Sequence, residues 1–239
     1  MKQTILLFTM TLFLVACGTE TPTEKANEKN DSKTELKVAQ EESVFGIGDT
    51  NPALETKLKD ISGEELFIEN LGQKNGALLI FSCNTCPFVV GNGDKSQGWE
   101  NRYNDIQSQA NELEIGFALI NSNEAKRDGV DSFEKMIEHA KENAYNNIRY
   151  LMDENHVVAD KLNAMTTPHV FLFDNQNKLV YTGAIDDNVD YKEEVKEHWL
   201  ADAMKELSEG KEITKPITKN MGCSIKRVKK EDAHHGHNH

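Results

Sequence analysis

The stretch Gly76-Ala77-Leu78-Leu79-Ile80-Phe81-Ser82-Cys83-Asn84-Thr85-Cys86-Pro87 decides the fold. The apolar run Ala77–Phe81, bounded by a glycine before and cysteines after, reads as a buried strand. Pro87 has no N–H to lose and suits the first turn of a helix. A Cys-x-x-Cys between strand and helix puts the first thiol, Cys83, where backbone N–H groups and the helix dipole favour a thiolate. The two-residue gap lets Cys86 close a disulfide with it. Cys83 is therefore expected to be the more exposed, attacking sulfur with a lowered pKa. Cys86, one turn deeper, is expected to resolve the mixed disulfide. As a structural staple the pair would be poor, because so small a loop removes little chain entropy. Zinc wants four ligands, and no second cysteine pair exists.

Working outward, strand and helix signals alternate. Leu58–Leu71 reads as a hairpin around Ser62-Gly63, with Leu66 and Ile68 alternating. After Gly91-Asn92-Gly93 a main helix is expected over Gln97–Glu112, and Ile115–Ile120 is the next strand. Asp131–Ala144 reads as a helix with Phe133, Met136, Ile137 and Ala140 on one face. Tyr150–Met152 is a short strand and His156–Leu162 a short helix. Val170–Phe173 and Lys178–Gly183 form a hairpin joined by Asp174–Asn177. Lys192–Leu207 is a final helix closed by Gly210. The architecture that follows is α/β: a central mixed sheet flanked by helices in three layers, with an N-terminal hairpin extension.

Both ends carry separate signals. Lys2 and the apolar run Ile5–Val15 have the form of a signal peptide, too short for a bilayer span. It ends in Leu14-Val15-Ala16-Cys17, which resembles a bacterial lipobox and implies lipidation of Cys17. Residues 18–42 are polar and poor in large apolar side chains, a composition that cannot offset its ordering entropy, and are expected to form a flexible tether. The expected divisions are 1–17 signal, 18–42 tether, 43–210 redox domain, 211–230 a C-terminal extension with Cys223, and 231–239 a His-rich tail. The expected location is extracytoplasmic, on a bacterial envelope membrane. A formal charge of −13 with no basic stripe argues against nucleic acid. His234, His235, His237 and His239 make the tail a weak metal chelator by composition.

A second landmark is Thr166-Thr167-Pro168-His169, where a proline stands at the start of the apolar run Val170–Phe173. Strand, Cys-x-x-Cys, helix and a late Thr-Pro at a strand start together resemble the thioredoxin superfamily. That resemblance implies a cis Pro168 packed on the dithiol, and Thr167 and Pro168 as substrate-contacting residues. Five runs in order, Cys86-Pro87-Phe88-Val89-Val90, Ile120-Asn121-Ser122-Asn123, Phe171-Leu172-Phe173-Asp174, Gly183 to Asn188, and Gly222-Cys223-Ser224-Ile225-Lys226, resemble its peroxiredoxin-like redoxins. These are grouped with thiol-specific antioxidant proteins.

The chain departs from that pattern twice. The Pro and Thr that peroxiredoxins place ahead of the reactive cysteine are missing, since Leu78–Ser82 stand there. The buried carboxylate of thioredoxin, six residues before the first cysteine, is Ala77 here. Glu100, Asp186 or Asp187 are the candidates to move the proton instead, against a plain role as solvated loop acids. The Gly91–Gly98 insertion forms a rim over the site or a surface loop, and Trp99 shields the site or only packs. Cys223 is a resolving or relay thiol, or a spare buried one. The reading is a membrane-tethered thiol–disulfide oxidoreductase acting on protein or small-molecule disulfides, with an unidentified electron donor. It needs no cofactor beyond the Cys83–Cys86 disulfide. The alternatives are a thiol peroxidase, and a copper-binding module in which His169 or the tail histidines join the cysteines.

Overall fold

The computed structural model describes residues 45–145 and 147–228. Cys17, the signal and tether segments, and the four tail histidines lie outside them. One sheet organises the chain, in the order β2 (Glu65–Phe67), β1 (Lys57–Asp60), β5 (Arg149–Met152), β4 (Gly116–Asn121), β3 (Ala77–Phe81), β7 (His169–Phe173), β8 (Leu179–Gly183). The pairs β3–β4 and β4–β5 are parallel, and the other four are antiparallel, so the sheet is mixed. β3 lies between β4 and β7 and is buried along its whole length, as its unbroken apolar run requires.

Alternation along β3 builds two cores. Leu78 and Ile80 join Val89, Tyr103, Met136 and Met204 on one face. Leu79 and Phe81 join Ile68, Val158, Phe171 and Ile225 on the other. The first face is covered by α2 (Tyr103–Glu112), α3 (Phe133–Glu142) and α5 (Trp199–Ser208), the second by α4 (Val157–Lys161) and the 3-10 turn Ile68–Leu71. The three-layer expectation is met.

Several elements differ from the sequence reading, each for a local reason. Helix α1 is one turn only, Pro87–Val90. The 91–98 loop then folds back: a Cβ on Gly98 would lie 2.2 Å from the Val89 carbonyl oxygen, and the Trp99 N–H donates to Phe88 O at 3.0 Å. The chain re-enters through a 3-10 turn at Glu100–Arg102, so α2 starts at Tyr103 rather than Gln97. α5 starts at Trp199 rather than Lys192, because Val195 is extended and the Asp187 carboxylate takes the N–H groups of Lys196 and Glu197. On α3 the Ser132 hydroxyl caps the first turn by accepting from Lys135 N–H, and Ile137 faces solvent at 41% exposure. Ile68 is buried in the 3-10 turn and not in β2.

Candidate active site

β3 ends at Phe81, and the chain runs through Ser82 and the Cys-x-x-Cys into α1, where Cys86 is the N-cap and Pro87 the first helical residue. Across the gap, the peptide bond Thr167–Pro168 is cis and leads into β7. Thr167 touches both sulfurs. Cys83 Sγ lies 3.3 Å from Thr167 Oγ1, and the Cys86 thiol lies 3.1 Å from the Thr167 carbonyl oxygen. The structure thus brings the two cysteines and Thr167 together.

The expected order of exposure is not found. Cys83 is 1% exposed and Cys86 4%. The directions of the pKa shifts also run opposite to that expectation, up at Cys83 and down at Cys86. The neighbouring Cys83 first, then Cys223 and Thr167, favour the charged form against burial and lower the Cys86 pKa to about 5. The Thr167 carbonyl contact suits a protonated Cys86 thiol and works in the opposite direction. The Cys83 thiol is pushed well up, because it keeps the proton shared with Cys86 and because it is buried. A one-turn helix has little dipole to offer, so local donors rather than the helix set the charge.

A buried polar platform fixes the loop between the cysteines. Asp131 Oδ1 accepts from the Asn84 N–H at 3.0 Å and from Asn121 Nδ2 at 2.9 Å, and its Oδ2 accepts from Asn123 Nδ2 at 3.1 Å. Tyr150 donates its hydroxyl to Asn84 Oδ1 at 2.8 Å, and Asn84 Nδ2 donates to Val130 O. Sequence reasoning missed Asp131 and Tyr150. It took Asp131 for a helix start, and only the position just ahead of the Ser132 cap hinted at another duty. Beside this loop an open groove of about 610 Å³ is lined by Asn84, Thr85, Val130, Ser132, Lys135 and His139 among others.

The proposed proton carriers have other partners. Asp186 forms a buried ion pair with Arg102 and accepts from Trp99 Nε1 at 2.9 Å. Trp99 is thereby a core residue, not a shield. Glu100 is bonded to His139 and Tyr145, and Asp187 caps the turn before α5. His169 accepts from Met165 N–H on Nδ1 and contacts Thr182 Oγ1 through Nε2, so neither nitrogen is free for the sulfurs. Burial brings its pKa down to about 4, and it stays neutral. Among the described residues no group of three or more His, Cys, Asp or Glu is placed to hold a metal.

Cys223 does reach the dithiol. Strand β9 (Cys223–Ser224) pairs antiparallel with β6 (Thr166–Thr167), with Cys223 opposite Thr167. The backbone edge beside Pro168, assigned by resemblance to a substrate, is occupied by the chain's own C-terminal segment.

No protein-family model matches the chain, and no curated protein does. Among solved structures, an uncharacterized conserved protein of Geobacillus kaustophilus is similar at 28% identity and a TM-score of 0.68, over 78% of this chain and 94% of that one. A hypothetical protein of Sinorhizobium meliloti 1021 is similar at 25% identity and a TM-score of 0.67, over 78% and 97%. A thiol peroxidase of Chromobacterium violaceum aligns at 16% identity and a TM-score of 0.47, over 70% and 88%.

Proposed function

We propose that this chain, whose fold is thioredoxin-like, is a thiol–disulfide oxidoreductase cycling Cys83 and Cys86 between dithiol and disulfide. The observation that carries this reading is a buried pair of thiols at a strand-to-helix turn, both sulfurs against Thr167 and the cis Thr167–Pro168 bond. A thiolate is the reactive form, and the pKa of Cys86 is lowered, by Cys83 first. Exchange starts when Cys86 attacks a sulfur of the substrate disulfide, forming a mixed disulfide and expelling one substrate thiolate. Cys83 then attacks Cys86, the second substrate sulfur leaves, and the Cys83–Cys86 bond forms. The proton that Cys83 held passes to the departing thiolates. The Thr167 hydroxyl steadies the sulfur pair from the Pro168 side, and the groove beside Asn84 and Thr85 is the approach for the substrate.

The test is turnover of a model disulfide. The Cys86→Ser chain should lose activity by roughly a hundredfold or more. The Cys83→Ser, Cys223→Ser chain, which keeps no thiol to resolve the mixed disulfide, should release one equivalent of thiol and stop. The reverse pattern assigns the attack to Cys83, and full activity in both removes the reading. Fast, stoichiometric peroxide consumption would replace it with a thiol peroxidase.

We place this activity on the bacterial cell envelope, anchored by lipid on Cys17. The support is the lipobox-like run ending at that residue. Among the described residues no helix is long and apolar enough to cross a membrane. Cys17→Ser should move the protein from the membrane to the soluble fraction, and unchanged membrane association would reject the anchor.

A further inference from the structure

We propose that Cys223 is a third redox thiol, which takes the disulfide over from the buried pair with Cys86 as the sulfur common to both bonds. The proposal rests on the dithiol reading above and extends it to how the site is recharged.

Position is the first argument. Thr167 lies opposite Cys223 across the β6–β9 ladder, while its side chain and carbonyl touch Cys83 and Cys86. One residue therefore aligns all three cysteines. Cys223 packs against the apolar cluster that holds the pair, and it is among the groups that lower the Cys86 pKa. The residue before it fits this approach. A Cβ on Gly222 would lie 2.5 Å from the Thr167 carbonyl oxygen, so any larger residue would push the segment off.

Anchoring is the second. Upstream, the Thr218 hydroxyl accepts from Ala184 N–H at 3.0 Å and bonds Tyr181 at 2.9 Å. Asn220 Nδ2 donates to Thr166 Oγ1. Downstream, Ile225 is buried in the second core and its N–H donates to Met165 O at 3.0 Å. Arg227 donates to Asp160 at 2.8 Å and to the Ala164 carbonyl at 2.6 Å. A thiol held at both sides meets its partner at an effective concentration far above that of any free thiol.

Exposure is the third. Cys83 and Cys86 are buried, whereas Cys223 is only partly so. A disulfide that moves from Cys83–Cys86 to Cys86–Cys223 moves toward solvent. In that step the Cys223 thiolate attacks Cys86 Sγ. The Cys86–Cys223 bond forms, the Cys83–Cys86 bond breaks, and Cys83 leaves as a thiolate that takes the proton Cys223 gave up. One disulfide and one thiol stand on each side, so no electrons enter or leave. An external dithiol then attacks Cys223 Sγ and expels Cys86. Its second thiol releases Cys223, so the donor ends as a disulfide and the protein as three thiols.

The full-length Cys83→Ser chain, reduced and then given one equivalent of diamide, tests this by alkylation and non-reducing peptide mapping. The expected product is an intramolecular Cys86–Cys223 disulfide, roughly tenfold more abundant than Cys83–Cys223 in the Cys86→Ser chain. Cys86 and Cys223 both recovered alkylated, or a bond between molecules, would overturn the proposal. The Cys223→Ser chain separates the two readings. If it closes Cys83–Cys86 while Cys83→Ser closes nothing, the relay alone fails; if neither closes, the dithiol reading fails too. Wild-type protein given the same single equivalent guards against misfolded variants. Both disulfides must appear in its map, and Cys83–Cys86 alone counts against the relay.

Discussion

Among single residues, the proposed exchange turns on Cys86, and its ionisation gives the sharpest test. Its pKa is held at about 5 by donors from Cys83, Cys223 and Thr167, while the Cys83 thiol is pushed up. A depressed thiol is charged above its folded pKa, so its reactivity falls only as pH drops through that value. Alkylation by iodoacetamide, followed residue by residue, should therefore show Cys86 reacting with a midpoint near pH 5. Cys83 should stay unreactive until well above the ordinary thiol range. A Cys86 profile like that of a free thiol would contradict the donor cluster. Some of this was legible beforehand. The Cys-x-x-Cys after an apolar run identifies the two sulfurs. It cannot say which carries the charge, because Cys223 and Thr167 are distant in sequence and their contact with Cys86 exists only in the fold.

At the scale of elements, the two-residue ladder β6–β9 does more than its length implies. It turns a C-terminal segment with no periodicity into a strap across the Pro168 edge. Gly222 is its tightest point, since a Cβ would meet Thr167 O and C at 2.5 and 2.8 Å. Gly222→Val should therefore lift Cys223 from Thr167. The share of Cys86–Cys223 disulfide after partial oxidation should fall about tenfold, with Cys83–Cys86 still forming. An unchanged map would mean that the strap yields without losing its register. Helix boundaries make the same point in reverse. The Lys192 start expected for α5 fails because the Asp187 side chain caps a turn from outside it. Periodicity in Lys192–Leu207 contains no trace of that hydrogen bond.

Taken whole, the molecule is two cores on one sheet, tied by buried polar joints. The Arg102–Asp186 ion pair is the firmest of these, with Trp99 Nε1 on Asp186 Oδ1 and Arg102 donating also to the Asn188 carbonyl at 2.7 Å. It fastens the segment before α2 to the one after β8. Asp186→Ala leaves a guanidinium buried and unpaired, and should cost about 3–5 kcal/mol in urea unfolding. The Arg102→Leu, Asp186→Ala double variant should recover part of that loss, because no charge is then stranded. A double variant as weak as the sum of its parts would mean that the ion pair is not the joint.

Local sequence patterns already specify the paired cysteines, the strand ahead of them, the proline before β7 and the layered α/β class. These depend on short-range patterns: an apolar run, a two-residue cysteine gap, and a proline that cannot donate to a ladder. Folding was needed to show that Thr167 meets both sulfurs, that Asp131 and Tyr150 hold the loop, and that Cys223 lies opposite Thr167. Each of those rests on contacts between residues dozens of positions apart, and a hydrogen bond or a burial cost does not exist until the chain has folded to bring both partners together.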